Sequence, residues 1–250
     1  MNEQPRRRST LAGLGRRHVE PEVMDQADLD PERHRHALAG LAQVNWLSHS
    51  AGIVWRPIRK LARQLPTQQV RVLDLACGGG DVLLGVARRA RRHGLDVALV
   101  GYDRSATAIE YARSRRASLG PDLASTVRFE RRDVLAQPWE GGFDVVMCSL
   151  FLHHLGETQA GELLRRMAEA SRHLVLVNDL SRSRLGYLVA LVACATITRS
   201  EVVRTDGPRS VAAAFRPREA LALASRAGLA GTRVRRRWPF RFLLSWERTS

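Results

Sequence analysis

A glycine-rich turn after a short apolar segment is the strongest chemical signal in this sequence. The β-branched run at residues 70–76, which contains Asp74, leads into the consecutive glycines Gly78 to Gly80, and a helical pattern begins there. Glycine adopts backbone conformations closed to other residues and lets a ligand approach the main chain, and a helix N-terminus attracts negative groups. We therefore predict that a cofactor binds at the carboxyl end of this strand.

Two further acidic residues follow the next two apolar runs, at positions suited to a nucleoside. Asp103 follows the run at 97–102, about 20 residues beyond the glycines, where a carboxylate accepts both hydroxyls of a ribose. Asp133 follows the run at 127–129, where a side chain can reach an adenine amino group. A single such acid is an ordinary loop residue, but acids at three successive strands indicate one ligand site.

The elements that must position these residues alternate regularly along the chain. Apolar runs at 70–76, 97–102, 127–129, 143–150 and 173–177 are interleaved with helical patterns at 80–93, 106–118 and 157–170. Strands that alternate with helices of this length predict βαβ crossovers and a parallel sheet covered on both faces. The fold class predicted is α/β, with a Rossmann-like, mostly parallel sheet of seven strands.

The two ends of the chain depart from this alternation. Helical patterns at 31–46 and 57–65 predict a cap in front of the sheet, and a basic segment precedes them. The tail reads as an apolar helix at 184–198, a linker around Asp206-Gly207-Pro208, a helix at 217–227, and two runs at 231–238 and 240–246. Because almost nothing separates the last two runs, they must form an antiparallel hairpin. We predict a flexible basic arm at 1–20, a helical cap at 21–66 and a main domain at 67–250.

Composition limits the classes of protein to consider. The 250 residues are 44% hydrophobic and 26% charged, which excludes a disordered or collagen-like chain. The formal charge of +15 comes from 39 arginines and one lysine, and its runs lack interleaved aromatic residues, so a GC-rich coding sequence explains it better than nucleic-acid binding. Three cysteines without CxxC spacing predict a reducing cytoplasm and no metal site, and no apolar run is long enough to span a bilayer.

The motifs taken together resemble the class I S-adenosylmethionine-dependent methyltransferases, and among these the small-molecule enzymes related to quinone biosynthesis. The resemblance rests on the segments 74–80, 102–103, 132–134 and 143–155, and covers about residues 70–180. It implies that the cofactor is S-adenosylmethionine, whose amino-acid end lies by Asp74, Ala76, Gly78 and Gly80, whose ribose lies at Asp103, and whose adenine lies beside Arg104, Asp133 and Val134. The usual first glycine of the motif is Ala76 here. The glycine spacing also lacks the GxGxxG gap that makes room for a dinucleotide's pyrophosphate.

The end of the fourth strand, which includes Ser149, resembles the place where acceptor and cofactor meet in this family. His153 and His154 follow it, and an imidazole that titrates near neutral pH can take a phenolic or enolic proton. The alternative is structural, with one ring bonded to the backbone or closed over the cofactor. The pair at 178–179 has the same two interpretations, as acceptor contacts or as a helix cap. The Asn/Asp-Pro-Pro-Tyr motif of base amino methyltransferases is absent.

Apolar features favour a lipophilic acceptor. The helix at 184–198 is apolar nearly all round, and Trp46 and Trp55 are expected at the roof of the site, with Val23 and Met24 if the arm folds over it. We predict O-methylation of a phenolic or polyketide-type ring. The alternatives are C-methylation of a quinone precursor, an RNA methyltransferase, or a cofactor-binding fold that serves as a partner protein. Peripheral contact with a membrane is a further option, and the oligomeric state stays open.

Overall fold

The computed structural model describes residues 11–26, 28–65 and 69–248, and its centre is a seven-stranded sheet. The strands are β1 Gln69–Leu75, β2 Asp96–Asp103, β3 Val127–Arg131, β4 Phe143–Ser149, β5 Ser171–Leu180, β6 Arg233–Arg237 and β7 Arg241–Glu247. Their order is β3-β2-β1-β4-β5-β7-β6. Strands β1 to β5 pair in parallel, whereas β7 is antiparallel to both β5 and β6. The predicted Rossmann-like, mostly parallel sheet with a C-terminal antiparallel hairpin is therefore confirmed.

Nine helices surround this sheet within the described ranges. They are α1 Pro31–Leu47, α2 Ser50–Ala62, α3 Asp81–Arg92, α4 Ala106–Ala117, α5 Pro121–Ser125, α6 Glu157–Ala170, α7 Arg184–Ile197, α8 Glu201–Ala213 and α9 Pro217–Arg226. The ends of α3 show why the chain turns helical there. Gly80 is its N-cap, Asp81 lies in the first turn and basic residues lie in the last, so the side-chain charges complement the helix dipole.

Side chains of β1 alternate between two hydrophobic cores, one on each face of the sheet. Val70 and Val72 pack in the core beneath α2 and α3, and Leu73 and Leu75 pack in the core beneath α6 and α9. This period of two is what a strand buried on both faces requires. Asp74 interrupts the apolar series, although only 1% of its surface is exposed. A carboxyl group buried at the end of a central strand marks the functional edge of the sheet.

Two predicted boundaries are wrong. The segment 206–208 is no linker but lies inside α8, because Ser200 caps that helix and Gly207 lets it approach α7, where a Cβ atom would overlap with Cys194. The buried Pro208 lies within the helix, which therefore lacks the one backbone hydrogen bond that an N–H at this position would donate. The second helix of the cap begins at Ser50 instead of residue 57, since Pro57 likewise sits inside it.

The front of the chain packs against the main domain. Residues 1–10 of the predicted basic arm lie outside the described residues, but in the remainder Leu14 is buried. The Arg17 side chain donates to the carbonyl oxygens of Ala213 at 2.7 Å and Leu155 at 2.9 Å, and its guanidinium lies 3.5 Å from the centre of the Phe215 ring. These charge-assisted hydrogen bonds and the cation–π contact fix the chain immediately before residues 22–25, which cover the carboxyl edge of the sheet.

Candidate cofactor and acceptor site

A cavity of about 1160 Å³ opens at the carboxyl ends of the parallel strands. Its floor is the glycine turn and the ends of β2 and β4, and its roof comes from α1, α7, α8 and the short 3-10 helix Val23–Asp25. Ten of the predicted site residues line it: Asp74, Ala76, Gly78, Asp103, Arg104, Asp133, Val134, Ser149, His153 and His154. The exception is Gly80, which ends the turn as the N-cap of α3. A pocket for one drug-sized ligand measures roughly 300–1,000 Å³, so this cavity has room for two.

The glycine turn adopts left-handed backbone conformations at three alternate positions. The φ angles are +53° at Ala76, +52° at Gly78 and +73° at Gly80. The conformation explains the two glycines, and at Ala76 it costs about 1–2 kcal/mol relative to an ordinary backbone. The turn is tied to the next strand, because the amide of Cys77 donates to the carbonyl oxygen of Tyr102 at 2.9 Å.

Asp103 holds the same turn through its carboxylate. Its Oδ2 accepts a hydrogen bond from the amide of Gly78 at 2.9 Å, and its Oδ1 accepts one from the amide of Ser105 at 2.8 Å. Burial raises the pKa of this group, while the two backbone donors oppose the rise. A carboxylate has about four acceptor sites, so each oxygen retains one for a hydroxyl in the cavity. His34 of α1, whose pKa is lowered by burial, lines the cavity on the same side.

Two buried polar atoms near the turn lack a hydrogen-bond partner among the residues that the structure describes. They are Oδ1 of Asp74 and Nη1 of Arg241. Burial, reinforced by Asp81 and Asp103, raises the pKa of Asp74 well above its usual value. Burial lowers the pKa of Arg241 to about 10 although Asp179 and Asp81 oppose it. Leaving such groups unpaired costs free energy, so the cavity is suited to a ligand that carries both a cationic and an anionic group.

The loop after β3 supplies the other end of the cavity floor. Oδ1 of Asp133 accepts hydrogen bonds from the amides of Leu135 and Ala136 at 2.9 and 3.2 Å, which leaves its second oxygen for a ligand, and Val134 is buried beside it. Arg104 instead reaches across the cavity, where its Nη2 donates to Oδ1 of Asp25 at 3.0 Å. Arg104 lies on the side of the cavity predicted for the adenine, and it also connects the floor of the cavity to its roof.

Two histidines and three carboxylates meet at the opposite end of the cavity. His153 Nδ1 lies 2.6 Å from Oδ1 of Asp179, and His154 Nδ1 lies 2.8 Å from Oδ2 of Asp25. The two Nε2 atoms face the carboxylate of Glu22, at 3.5 Å for His153 and 3.8 Å for His154. Burial lowers the pKa of His153, but Asp179 and Glu22 raise it more, to about 10. Asp179 thus orients a histidine and is not a helix cap; Ser183 caps the following helix.

Comparisons with known proteins agree with this geometry. A family model described as a methyltransferase domain matches residues 66–181. Residues 66–181 form a class I S-adenosylmethionine-dependent methyltransferase domain. The glycine turn, Asp103 and the histidine pair all lie within it, whereas the front segment 22–25 and Arg241 lie outside the matched range.

The relatives of this methyltransferase domain include enzymes of quinone biosynthesis. The chain is 35% identical to demethylmenaquinone methyltransferase of Thermus thermophilus over 52% of its own length and 56% of that protein. It is 32% identical to ubiquinone biosynthesis O-methyltransferase of Alkalilimnicola ehrlichii over 49% and 46% of the two lengths. The chain thus spans about half the length of the curated relatives it matches.

A solved structure extends the similarity of fold beyond the domain. An O-methyltransferase family protein from Burkholderia thailandensis superposes with a TM-score of 0.63 at 21% identity, over 92% of this chain and 63% of that one. At this identity the likeness shows the fold alone. Since the superposition covers 92% of this chain, the likeness of fold extends beyond residues 66–181.

The residues of the methyltransferase site suit S-adenosylmethionine. The unpaired Asp74 oxygen can accept from the ammonium of the amino-acid end, which would also favour the charged form of the carboxyl group, and the unpaired Arg241 nitrogen can donate to its carboxylate. Asp103 has acceptor sites free for the ribose. A Cβ atom at Gly79 would stand only 3.0 Å from the Tyr111 ring, so the turn also needs small residues to stay this close to α4.

Apolar side chains line the roof of the methyltransferase site, but they are not the tryptophans expected there. Met24, as expected, lines the cavity; further lining residues are Leu38, Leu41, Val189, Ala193, Val203 and Phe240. Trp46 is 76% exposed, and Trp55 is buried in the core beneath α2. The reason is helical phase: the cavity side of α1 carries residues 38, 41, 44 and 45, which turns residue 46 towards solvent.

Several site residues escape sequence reasoning. Glu22 and Asp25 come from the front segment, Asn45 accepts from the Arg241 guanidinium at 3.1 Å, and Arg241 begins the last strand. Glu22 and Asp25 had only a shared signal, since they are two of six acids that separate Arg17 from Arg33. Arg241 had no signal in the sequence, because it is one arginine among 39.

No helix within the described ranges is both long and apolar enough to cross a bilayer.

Proposed function

We propose that the chain transfers the methyl group of S-adenosylmethionine to a hydroxyl oxygen of a hydrophobic ring, phenolic or of the polyketide type. The observation that carries the proposal is the cluster of Glu22, His153 and His154, which lies in the same cavity as the cofactor residues and adjoins its apolar walls. Apolar walls favour a ring over a sugar or an amino acid. A titratable cluster is needed when the acceptor must lose a proton.

The chemistry requires mainly alignment. Methyl transfer is an in-line displacement at a sulfonium whose leaving group is already activated, so the protein positions two ligands and handles one proton. In this proposal Asp74 and Arg241 hold the amino-acid end of the cofactor, Asp103 holds its ribose, and Asp133 and Val134 contact its adenine. Ser149, whose buried Oγ lacks a partner among the described residues, lines the same cavity and in this proposal lies between the two ligands. Three buried free thiols support a cytoplasmic location for this reaction.

A product analysis tests the acceptor class. We would incubate the chain with S-adenosylmethionine and, separately, alkyl-substituted phenols, the same phenols already blocked as methyl ethers, hydroquinones with a free ring position, and bulk RNA. The expected product is a methyl ether of the unblocked phenols, identified by mass spectrometry and by the methoxy signal in proton NMR. A methyl group on a ring carbon would instead support C-methylation of a quinone precursor, and labelled RNA alone would contradict the small-molecule proposal.

The outer face of α7 supports delivery of the acceptor from a membrane surface. Leu185, Leu188 and Val192 are 61%, 43% and 64% exposed and lie on one side of the helix, whereas Ala190 and Ala193 on the other side line the cavity. The exposed residues Arg184 and Arg199 flank the helix, and a basic rim around apolar side chains suits an anionic lipid surface. A lipophilic ring could then enter the site without crossing water.

Replacing Leu188 and Val192 with glutamate should weaken binding to anionic vesicles at least tenfold, because the change removes two apolar groups from the lipid and adds two negative charges. Sedimentation with phosphatidylcholine vesicles that contain phosphatidylglycerol measures this. Leu221→Glu on α9, an equally exposed leucine at 42%, is the matched control and should bind as the wild type does. Equal partitioning of the double variant and the wild type would contradict the membrane contact.

A further inference from the structure

Three side chains at the acceptor end of the cavity are arranged as metal ligands. Glu22, His153 and His154 each present one ligand atom, and these atoms lie within 4.8 Å of one another. The separations from the Glu22 carboxylate to the two Nε2 atoms are 3.5 and 3.8 Å. Bonds of about 2.0–2.1 Å to a tetrahedral zinc ion place neighbouring ligand atoms roughly 3.3–3.4 Å apart. The separation of His153 Nε2 from Glu22 Oε1 is within a few tenths of an ångström of that geometry, and His154 Nε2 faces the other oxygen, Oε2, of the same carboxylate.

Each histidine is also oriented from its far side by a carboxylate. Asp179 accepts from Nδ1 of His153 at 2.6 Å, and Asp25 lies 2.8 Å from Nδ1 of His154. A hydrogen bond of this kind places the ring proton on Nδ1 and turns the Nε2 lone pair towards the ligand position, as in carboxylate–histidine–zinc arrangements. Both rings have such a hydrogen bond at Nδ1, and both Nε2 atoms face the same glutamate. A single ion pair with one histidine would not require this arrangement.

Charge and access fit a divalent cation. The carboxylates of Glu22, Asp25 and Asp179 carry three negative charges around two rings. Arg104 pairs with Asp25 and balances one of them, so two protons or one divalent ion would balance the other two. Ser210 donates to the Glu22 carboxylate at 2.5 Å and fixes its orientation. His153 is buried, but His154 is only half-buried and faces the cavity, which leaves a fourth coordination position open on that side.

We propose that Glu22, His153 and His154 bind one divalent transition-metal ion of the zinc type, with its fourth position directed into the cavity. The binding itself is independent of the function proposed above. Its role rests on that function: the ion would hold the acceptor hydroxyl oxygen, whose proton leaves to solvent, before the oxygen–methyl bond forms and the sulfur–methyl bond breaks. The set was not apparent in the sequence because Glu22 is more than 130 residues from the histidines.

Cobalt binding tests the site without cofactor or acceptor. The chain is stripped with a chelator and titrated with Co²⁺, which absorbs strongly in the visible range only when four- or five-coordinate. We expect a saturable spectrum with a dissociation constant of about 10 µM or lower, displaced by equimolar Zn²⁺. Glu22→Gln and His154→Ala should each weaken binding at least tenfold. Glu20→Gln and His36→Ala, which replace an exposed acid and an exposed histidine outside the cluster, should leave it unchanged.

Two results would overturn the site. One is the lack of a saturable spectrum up to millimolar Co²⁺ in the folded chain, and the other is equal binding by His154→Ala and the wild type. If Glu22→Gln does not fold, His154→Ala decides alone, since this half-buried residue leaves the contact between His153 and Asp179 intact. Metal binding without methyl transfer would count against the proposed function only, and methyl transfer by a chain that binds no metal would count against the site only.

Discussion

Replacing Asp103 with alanine is expected to weaken binding of S-adenosylmethionine by a factor of about 100 to 1,000. A hydrogen bond to a charged group contributes about 1.5–3 kcal/mol, and at the lower end of that range loss of the two from the ribose hydroxyls amounts to about 3–4 kcal/mol. Each 1.4 kcal/mol is about a factor of ten in affinity. The substitution also removes the acceptor for the Gly78 amide, so the glycine turn loses its support from β2 in the same step.

Isothermal titration calorimetry measures this loss, and β2 offers a matched control. Asp96 begins the same strand at the opposite edge of the sheet, where its carboxylate is exposed and accepts from Gln69. Asp96→Ala should bind the cofactor as the wild type does. Asp103→Asn keeps one acceptor oxygen and should lie between, at about a tenfold loss. An affinity of Asp103→Ala within threefold of the wild type, in a chain with an unchanged circular dichroism spectrum, would refute the ribose assignment.

The floor of the cavity could be predicted from the sequence because its determinants are local. The glycine turn and Asp103 each follow directly from a strand, and parallel strands bring their carboxyl ends to one edge of the sheet whatever the rest of the chain does. The register bears this out, since Leu75 at the end of β1 pairs with Tyr102, the residue before Asp103. Few long-range contacts are needed to place these groups correctly.

The roof could not be predicted in the same way because it depends on contacts between distant segments. Glu22 meets His153 beside the place where Arg17 donates to the carbonyl oxygens of His153 and Leu155, and none of these contacts has a periodic signal in the sequence. Arg241 reaches the cavity because β7 runs antiparallel to β5, which brings the first residue of β7 to the carboxyl edge opposite Leu180. The hairpin itself was predictable, but the chemical value of one arginine within it was not.

The histidine pair shows how tertiary contacts decide between chemical roles. Sequence reasoning leaves His153 and His154 as bases or as structural residues, because an isolated imidazole titrates near neutral pH. In the fold, burial lowers the pKa of His153, but the carboxylates of Asp179 and Glu22 raise it more, to about 10, so the ring holds a proton or another cation. The two carboxylates that produce this effect come from β5 and from the front segment, about 25 and 130 residues away in sequence.

Replacing Gly80 with alanine is expected to destabilise the fold by about 2–5 kcal/mol. The left-handed backbone at φ +73° costs about 1–2 kcal/mol for an L-residue with a Cβ atom. The added methyl group would also stand 2.5 Å from Cζ of the Phe129 ring and 3.2 Å from Cβ of Ala112. Both neighbours are buried in the core, and forcing extra volume into a packed core costs about 1–3 kcal/mol.

Gly94 separates the two contributions, because it has φ +62° but nothing within 4 Å of a Cβ atom. Gly94→Ala should therefore lose only about 1 kcal/mol in urea-induced unfolding, after allowance for the lower entropy of its unfolded chain. The larger loss in Gly80→Ala then measures the overlap with Phe129. Adding Phe129→Leu to Gly80→Ala should cost less than the sum of the two single changes, since the smaller side chain makes room for the methyl group. Equal losses of unfolding free energy for Gly80→Ala and Gly94→Ala would mean that the turn moves freely away from β3. A turn held so loosely could not present its amides to a cofactor in a fixed geometry.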